Sequence, residues 1–382
     1  MKSTIGIIAT RTADNWGGSE ELWSQAATRL VAEGVSVAAS IHARAPLHYR
    51  VKNLVDGGVR LWVRSEKYSI LQRMRRRVIS GRQSDLLIEI EKFLNLVQPQ
   101  LVIFSTGGIF PPIEWLELCQ KKALPFVTIG QANSDYFWFE DASATRYRRA
   151  LASAVRCFFV SKANLRLAEK QIGGELSNAE VVRNPFNVHF DSSSAWPSFA
   201  ENGELRLACV GRLELAAKGQ DILLEALANT VWMSRRWRLN LYGIGPMKNV
   251  IERLIQYFEL GDHVNIVGWA SRVEDIWAEN HALVMPSRVE GLPLVIVEAM
   301  LCGRPVVATD VAGSEIVEDG VTGFLADAPT VPSMARALER LWEHRHNLRM
   351  MGEVAAKSIR KCVPADPVGV FSHKIQCLLD GI

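Results

Sequence analysis

Four charged residues, two acidic and two basic, are spaced so that they could act on one ligand. Glu290 lies in the stretch Met285-Pro-Ser-Arg-Val-Glu-Gly-Leu-Pro-Leu-Val-Ile-Val-Glu-Ala-Met-Leu-Cys-Gly-Arg-Pro-Val-Val307, and Glu298 follows it by eight residues. The apolar run 282–285 predicts a strand. Residues 286–291 cannot continue it, because Pro removes a ladder donor and Gly loosens the backbone. A helix is expected from about Leu292, with Pro293 in its first turn and Gly303 ending it. Eight helical residues rise ~12 Å, an upper guide because Glu290 precedes the helix. Between the two carboxylates fall the amides of Gly291, Leu292 and Leu294, at the positive end of the helix dipole, a ready anion site.

The basic pair is Arg212 and Lys218, in Val210-Gly-Arg-Leu-Glu-Leu-Ala-Ala-Lys-Gly219 after an expected strand over 205–210. Gly211 and Gly219 let backbone approach a ligand closely. Arg offers a fork for phosphate oxygens, and Lys a point charge. Hydroxyl-binding acids flanking an anion site, with two cations nearby, suit a nucleotide-diphosphate sugar. The turn Tyr242-Gly-Ile-Gly-Pro246, with Gly243, lacks the third glycine of a dinucleotide fingerprint, so a nicotinamide-dependent dehydrogenase fits poorly. Gly268 and Trp269 close the following strand, where Trp269 could stack on a ligand or pack in the core. Near the start, Trp16-Gly-Gly-Ser-Glu20 opens a helix. Gly17 and Gly18 could admit donor phosphates or the acceptor, or form a simple turn with Ser19 as cap and Glu20 and Glu21 in the first turn.

Together these stretches resemble the E-x7-E and G-R-(x)n-K-G elements of the retaining GT-B glycosyltransferases, glycosyltransferase family 4 (glycosyl transferases group 1). The resemblance is firm over 205–327 and loose before 203. It implies an α/β chain with the GT-B fold, two Rossmann-like doubly wound domains facing across a cleft. The donor would bind the second domain and the acceptor the first. It implies that Glu290 meets the donor sugar hydroxyls, that Glu298 holds the ribose, and that Arg212 and Lys218 hold the diphosphate. The strand ends at Gly243, Gly268 and Trp269 would lie near the base. No cofactor and no metal ion are expected, and the reaction would retain the anomeric configuration. Family members often carry a His near the donor sugar, where this chain reads Thr128-Ile-Gly-Gln131-Ala-Asn133. Gln131 can donate and accept hydrogen bonds but cannot act as a base. Asp135, Glu140 and Asp141, set among Tyr136, Phe137, Trp138 and Phe139, could contact the acceptor or form an ordinary loop.

The expected partners are a nucleotide sugar donor and a saccharide or lipid-linked acceptor, in cell-surface polysaccharide or glycoconjugate synthesis. A nucleotide-sugar hydrolase or epimerase on the same scaffold, or a non-catalytic sugar-nucleotide binding protein, are the rival readings.

Length and composition bound the rest. A chain of 382 residues, 48% hydrophobic and 22% charged, suggests two or three globular domains. The first residues are too quickly polar for a secretory signal and read as a first strand. Without a long apolar run, no spanning helix is expected and the protein reads as cytoplasmic. The six cysteines form no C-x-x-C pair and read as buried free thiols in a reducing compartment. Residues 1–190 hold 25 Lys and Arg against 17 Asp and Glu, or +8; residues 191–382 hold 19 against 24, or −5. The basic excess gathers at Arg73, Arg75, Arg76, Arg77 and Arg82, then at Arg146, Arg148 and Arg149. It reads as a solvated helix face or as a dock for anionic lipid on the inner membrane face. Nucleic acid is not expected, for want of a binding motif.

Strand and helix signals alternate along the chain, which argues parallel sheets. Strands are expected at 5–9, 35–41, 59–63, 101–104, 125–129, 157–160 and 179–182, then 205–210, 237–242, 264–267, 282–285 and 306–310. Helices are expected at 19–33, 86–97, 114–122, 145–153, 220–232, 247–258, 273–279, 331–343, 347–362 and 368–379. The domains follow: an acceptor domain over 1–187, a linker over 188–203, and a donor domain over 204–364. The end, 365–382, is a helix that could return to the first domain.

Overall fold

The computed structural model describes residues 3–10, 16–42, 49–64, 82–198 and 203–382. The chain divides into two compact units, Met1–Pro185 with Asp366–Ile382, and Phe186–Ala365. The basic residues Arg73, Arg75, Arg76 and Arg77 lie outside the described residues.

Among the described residues the first unit holds a seven-stranded sheet in the order β3-β2-β1-β4-β5-β6-β7, every neighbouring pair parallel. Its strands are β1 (Thr4–Ala9), β2 (Ser36–His42), β3 (Arg60–Arg64), β4 (Leu101–Thr106), β5 (Phe126–Gly130), β6 (Arg156–Phe159) and β7 (Ala179–Val181). The central strands are apolar on both faces, as a parallel sheet covered by helices requires. Ile5 and Ile7 point into one core with Leu22, Ala26 and Leu30 of the helix Gly18–Ala32. Ile8, one residue on, points into the other with Phe93, Phe104 and Leu116.

The second unit is a six-stranded parallel sheet in the order β10-β9-β8-β11-β12-β13. These strands are β8 (Leu205–Val210), β9 (Trp237–Tyr242), β10 (Val264–Gly268), β11 (Ala282–Met285), β12 (Val306–Thr309) and β13 (Gly323–Ala326). In both sheets the order reverses once, between β1 and β4 and between β8 and β11. At such a point the loops leaving the two strands diverge and leave a crevice at their carboxyl ends.

Several expectations need correction. The helix after β11 is Leu294–Leu301, so Leu292 is not helical and Pro293 is its cap rather than a first-turn residue. Pro293 itself disfavours helical backbone at Leu292. Gly313 also packs here: a Cβ on it would lie 2.4 Å from the Gly291 carbonyl. Ser19 is not a cap either. The first helix starts at Gly18, and Glu20 does the capping by accepting from the Gly17 amide at 3.1 Å and from Ser19 Oγ at 2.7 Å. The expected helix 220–232 is broken into Gln220–Leu227 and Thr230–Met233, because Asn229 Oδ1 accepts from the Trp232 amide and caps the second piece. The helix expected at 145–153 begins one turn earlier, as Asp141–Ala152.

Strand β13 and the helices Tyr49–Asp56, Lys162–Ile172 and Leu215–Lys218 were not expected. The helix Lys162–Ile172 had readable ends, since Ser161 caps it and Gly173 closes it in the left-handed region. Of the cysteines, Cys362 and Cys377 are exposed and the other four are buried. The last helix, Pro367–Asp380, belongs to the first unit. Phe371 and Ile375 join the core around Ile5 and Ile7, and Arg29 reaches Asp366 at 2.6 Å. Among the described residues no helix is long and apolar enough to cross a membrane.

Candidate functional site

The reversal between β8 and β11 is where the second unit gathers its charged residues. The loop after β8 carries Arg212 and, at the end of the short helix Leu215–Lys218, Lys218. The loop after β11 carries Glu290. Lys218 Nζ lies 2.6 Å from Glu290 Oε1, and the Glu290 side chain is only 10% exposed. Arg212 ion-pairs with Glu214, a partner the sequence reading did not foresee. The Arg212 carbonyl accepts from Gln220 Nε2 at 2.8 Å, which ties this loop to the next helix.

The two loops are held together by backbone and by one further ion pair. Gly219 sits at φ +65° with its Cβ position 2.1 Å from the Pro286 carbonyl, so only glycine allows the approach. The Ala217 carbonyl accepts from the Arg288 amide at 2.8 Å. The Arg288 guanidinium meets both Asp221 oxygens, at 2.8 and 2.6 Å, and the Leu215 carbonyl at 2.6 Å. This bidentate geometry is the stronger kind of ion pair. Arg288 and Asp221 were also missed from the sequence, although each lies within three residues of a residue that was singled out.

Three glycines line the neighbouring strand ends. Gly243, at φ +136°, would place a Cβ 2.0 Å from the Gly211 carbonyl, and its amide donates to the Gly268 carbonyl at 2.7 Å. Trp269 follows Gly268 and is 75% exposed, so of its two readings the packed core is excluded.

Glu298 sits in the second turn of the helix Leu294–Leu301 and is buried. Its Oε1 accepts from the Asn187 amide at 3.0 Å and from Asn187 Nδ2 at 2.9 Å. Burial pushes its pKa above the ordinary carboxylate value, and the Asn187 hydrogen bonds only partly offset that. Gly291, Leu292 and Leu294 lead into the start of the same helix, with Leu292 buried.

The other expected residues belong to the first unit. Gly17 and Gly18 open the helix after β1. Gln131 follows β5 and is buried, its Oε1 accepting from Asn184 Nδ2 at 2.7 Å. Its Nε2 has no partner among the described residues.

These features define a class: two parallel-sheet Rossmann-like α/β units, with glycosyltransferases of the GT-B type as structural neighbours. Residues 204–344 match the family described as glycosyl transferases group 1. Among curated proteins, alpha-D-kanosaminyltransferase of Streptomyces kanamyceticus is 37% identical over 150 residues, covering 38% of this chain and 39% of that protein. The chain spans about two fifths or less of the length of the first curated relatives it matches. Two solved structures share the whole fold at low identity. Anabaena HepE in complex with UDP aligns over 100% of both chains at 19% identity with a TM-score of 0.73. Sucrose-phosphate synthase from Thermosynechococcus elongatus does so at 16% identity with a TM-score of 0.72.

Proposed function

We propose that the protein is a retaining, metal-independent glycosyltransferase that moves a sugar from a nucleotide-diphosphate sugar to a saccharide or glycolipid acceptor. The supporting observation is the convergence of Arg212, Lys218 and Glu290 at the sheet reversal, with Lys218 2.6 Å from Glu290, beside the helix that carries Glu298. The UDP bound by HepE, a structural relative, makes UDP-sugars the first donors to try.

In this reading the diphosphate lies over the start of the helix Leu294–Leu301 and between the two cations. As the sugar–phosphate bond breaks, negative charge grows on the leaving oxygen, and Arg212 and Lys218 stabilise it. No metal ion is required, because two cations and a helix dipole offset the charge. Glu290 accepts from sugar hydroxyls while keeping Lys218 in place. Glu298 accepts from the ribose. The acceptor oxygen bonds to the anomeric carbon on the face the diphosphate leaves, and its proton passes to the departing phosphate oxygen. The first unit binds the acceptor, and the work belongs to cell-surface polysaccharide or glycoconjugate synthesis near the cytoplasmic membrane face.

Calorimetric titration with UDP-, GDP- and ADP-sugars tests this. One donor should bind with chelator present. Lys218→Ala should weaken it and should slow transfer by roughly 100-fold, the usual cost in rate of one such electrostatic contact. Glu290→Gln should leave binding measurable but remove turnover. If no donor binds, or both variants match the wild type, these roles are wrong. NMR of the product should show the donor's anomeric configuration retained.

A further inference from the structure

The loop after β5 displays three large aromatic side chains in succession. Tyr136 is 73% exposed, Phe137 58% and Trp138 61%. Burying each would be worth about 1.5–3 kcal/mol, so a surface that leaves three in water has usually another use for them.

The display is not slackness. Gln171, buried on the helix Lys162–Ile172, donates to the Ser134 carbonyl at 3.0 Å and to the Phe137 carbonyl, and its own Oε1 accepts from Asn133 Nδ2 at 2.8 Å. The Phe137 amide closes a turn on the Ser134 carbonyl at 3.0 Å. Trp138 Nε1 donates to the Asp135 carbonyl at 2.8 Å, which fixes the indole over the turn. Phe139 anchors the far end, its ring 6.0 Å from Phe110 and 4.8 Å from Tyr147. The loop is built to hold its backbone while the rings of residues 136–138 stay outside.

The charges around the rings say what they face. Asp135, Glu140 and Asp141 flank them, and all three are exposed. The next basic residue along the chain, Arg146, is already paired, with Glu117 at 2.6 Å and Glu114 at 3.6 Å. Carboxylates beside the rings repel an anionic headgroup layer. They do accept hydrogen bonds from hydroxyls. The negative faces of the rings suit the polarised C–H faces of a pyranose.

We propose that the loop Asp135–Asp141 is a docking surface for a neutral oligosaccharide, in which Tyr136, Phe137 and Trp138 stack on sugar rings and Asp135, Glu140 and Asp141 accept from their hydroxyls. That this saccharide is the acceptor rests on the transferase reading above; that the surface binds saccharide does not.

Saturation-transfer NMR of the full chain with malto-, cello-, chito- and xylohexaose tests it, beside donor titration and circular dichroism of every variant. At least one hexaose should bind. Trp138→Ala and Phe137→Ala should each weaken it by about tenfold, and Asp135→Asn by a few-fold, with donor affinity and fold unchanged. The proposal falls if no hexaose binds or if Trp138→Ala binds as the wild type does. It also falls if Trp138 instead governs co-sedimentation with phosphatidylcholine–phosphatidylglycerol vesicles and no saccharide is held. Loss of donor binding with hexaose binding intact would sink the transferase reading and leave the surface standing.

Discussion

The ribose-binding role proposed for Glu298 would come at the expense of the fold that carries it. Its carboxyl is buried, and among the described residues only Asn187 donates to its Oε1, so the charged form is disfavoured and its pKa lies above the usual 4.5. The sign follows from linkage. Below 4.5 both folded and unfolded states hold the proton, and the fold carries no penalty. As pH rises, the unfolded chain ionises first, and stability falls until the folded carboxyl ionises too. Every tenfold by which burial disfavours ionisation is worth about 1.4 kcal/mol. Glu298→Gln keeps an oxygen for Asn187 and removes the charge. It should therefore melt higher than the wild type at pH 8, by about 2–4 °C per kcal/mol for a unit of this size, and the gap should close toward pH 4. Donor affinity should fall at the same time. A variant no more stable at pH 8 would mean that the charge is better solvated than its surroundings imply.

Among the elements, the turn Gly303-Arg304-Pro305 does more than end a helix. Arg304 is 1% exposed, and burial lowers its pKa to about 10. Instead of an acid, its guanidinium meets carbonyls: Trp277 in the last turn of the helix Val273–Glu279, Asn280 just after it, Cys302 in its own turn, and Ala195 from the segment that precedes β8. The Trp196 ring lies 5.0 Å from its central carbon. Arg304→Ala would strand these acceptors and should cost ~3 kcal/mol or more in urea unfolding. Arg304→Lys should recover little, since one ammonium cannot span carbonyls on three segments. Equal stability of Lys and wild type would show that charge, rather than the fork, is what the turn needs. Such a residue marks the limit of reading from sequence. The strand, loop and helix from 282 to 301 were legible because periodicity and glycine are local signals. So were Arg212, Lys218, Glu290 and Glu298, as charges at the ends of apolar runs. Arg288, Asp221, Asn187 and Arg304 were not, because each acts on a partner at least 67 residues away or through carbonyls that no side-chain pattern reveals. The helix start was misplaced by two residues because the packing of Gly313 on Gly291 is equally non-local.

The chain builds two cores against its first sheet, around Ile7 and around Ile8, leaves them to build a third around Leu205 and Trp237, and then returns to the one around Ile5 and Ile7. The helix Pro367–Asp380 makes that return, with Phe371 and Ile375 at 1% and 0% exposure and the Phe371 ring 5.3 Å from Phe158. The first unit is thus complete only when its last helix, far along the chain, has docked. The second unit is continuous from Phe186 to Ala365 and uses none of that helix for its own core. Removing buried methyl groups there should therefore have a local address. Ile375→Ala should destabilise by about 2–5 kcal/mol, the cost of a large-to-small change in a packed core. Hydrogen exchange should show the loss in β1, β2 and the helix Gly18–Ala32, while β8, β11 and β12 keep their protection. Because Arg212, Lys218, Glu290 and Glu298 all lie in the second unit, donor affinity should survive the substitution even as the first unit loosens. Equal loss of protection in both sheets, or donor affinity that falls with the first unit's stability, would mean that the second unit does not hold its site by itself.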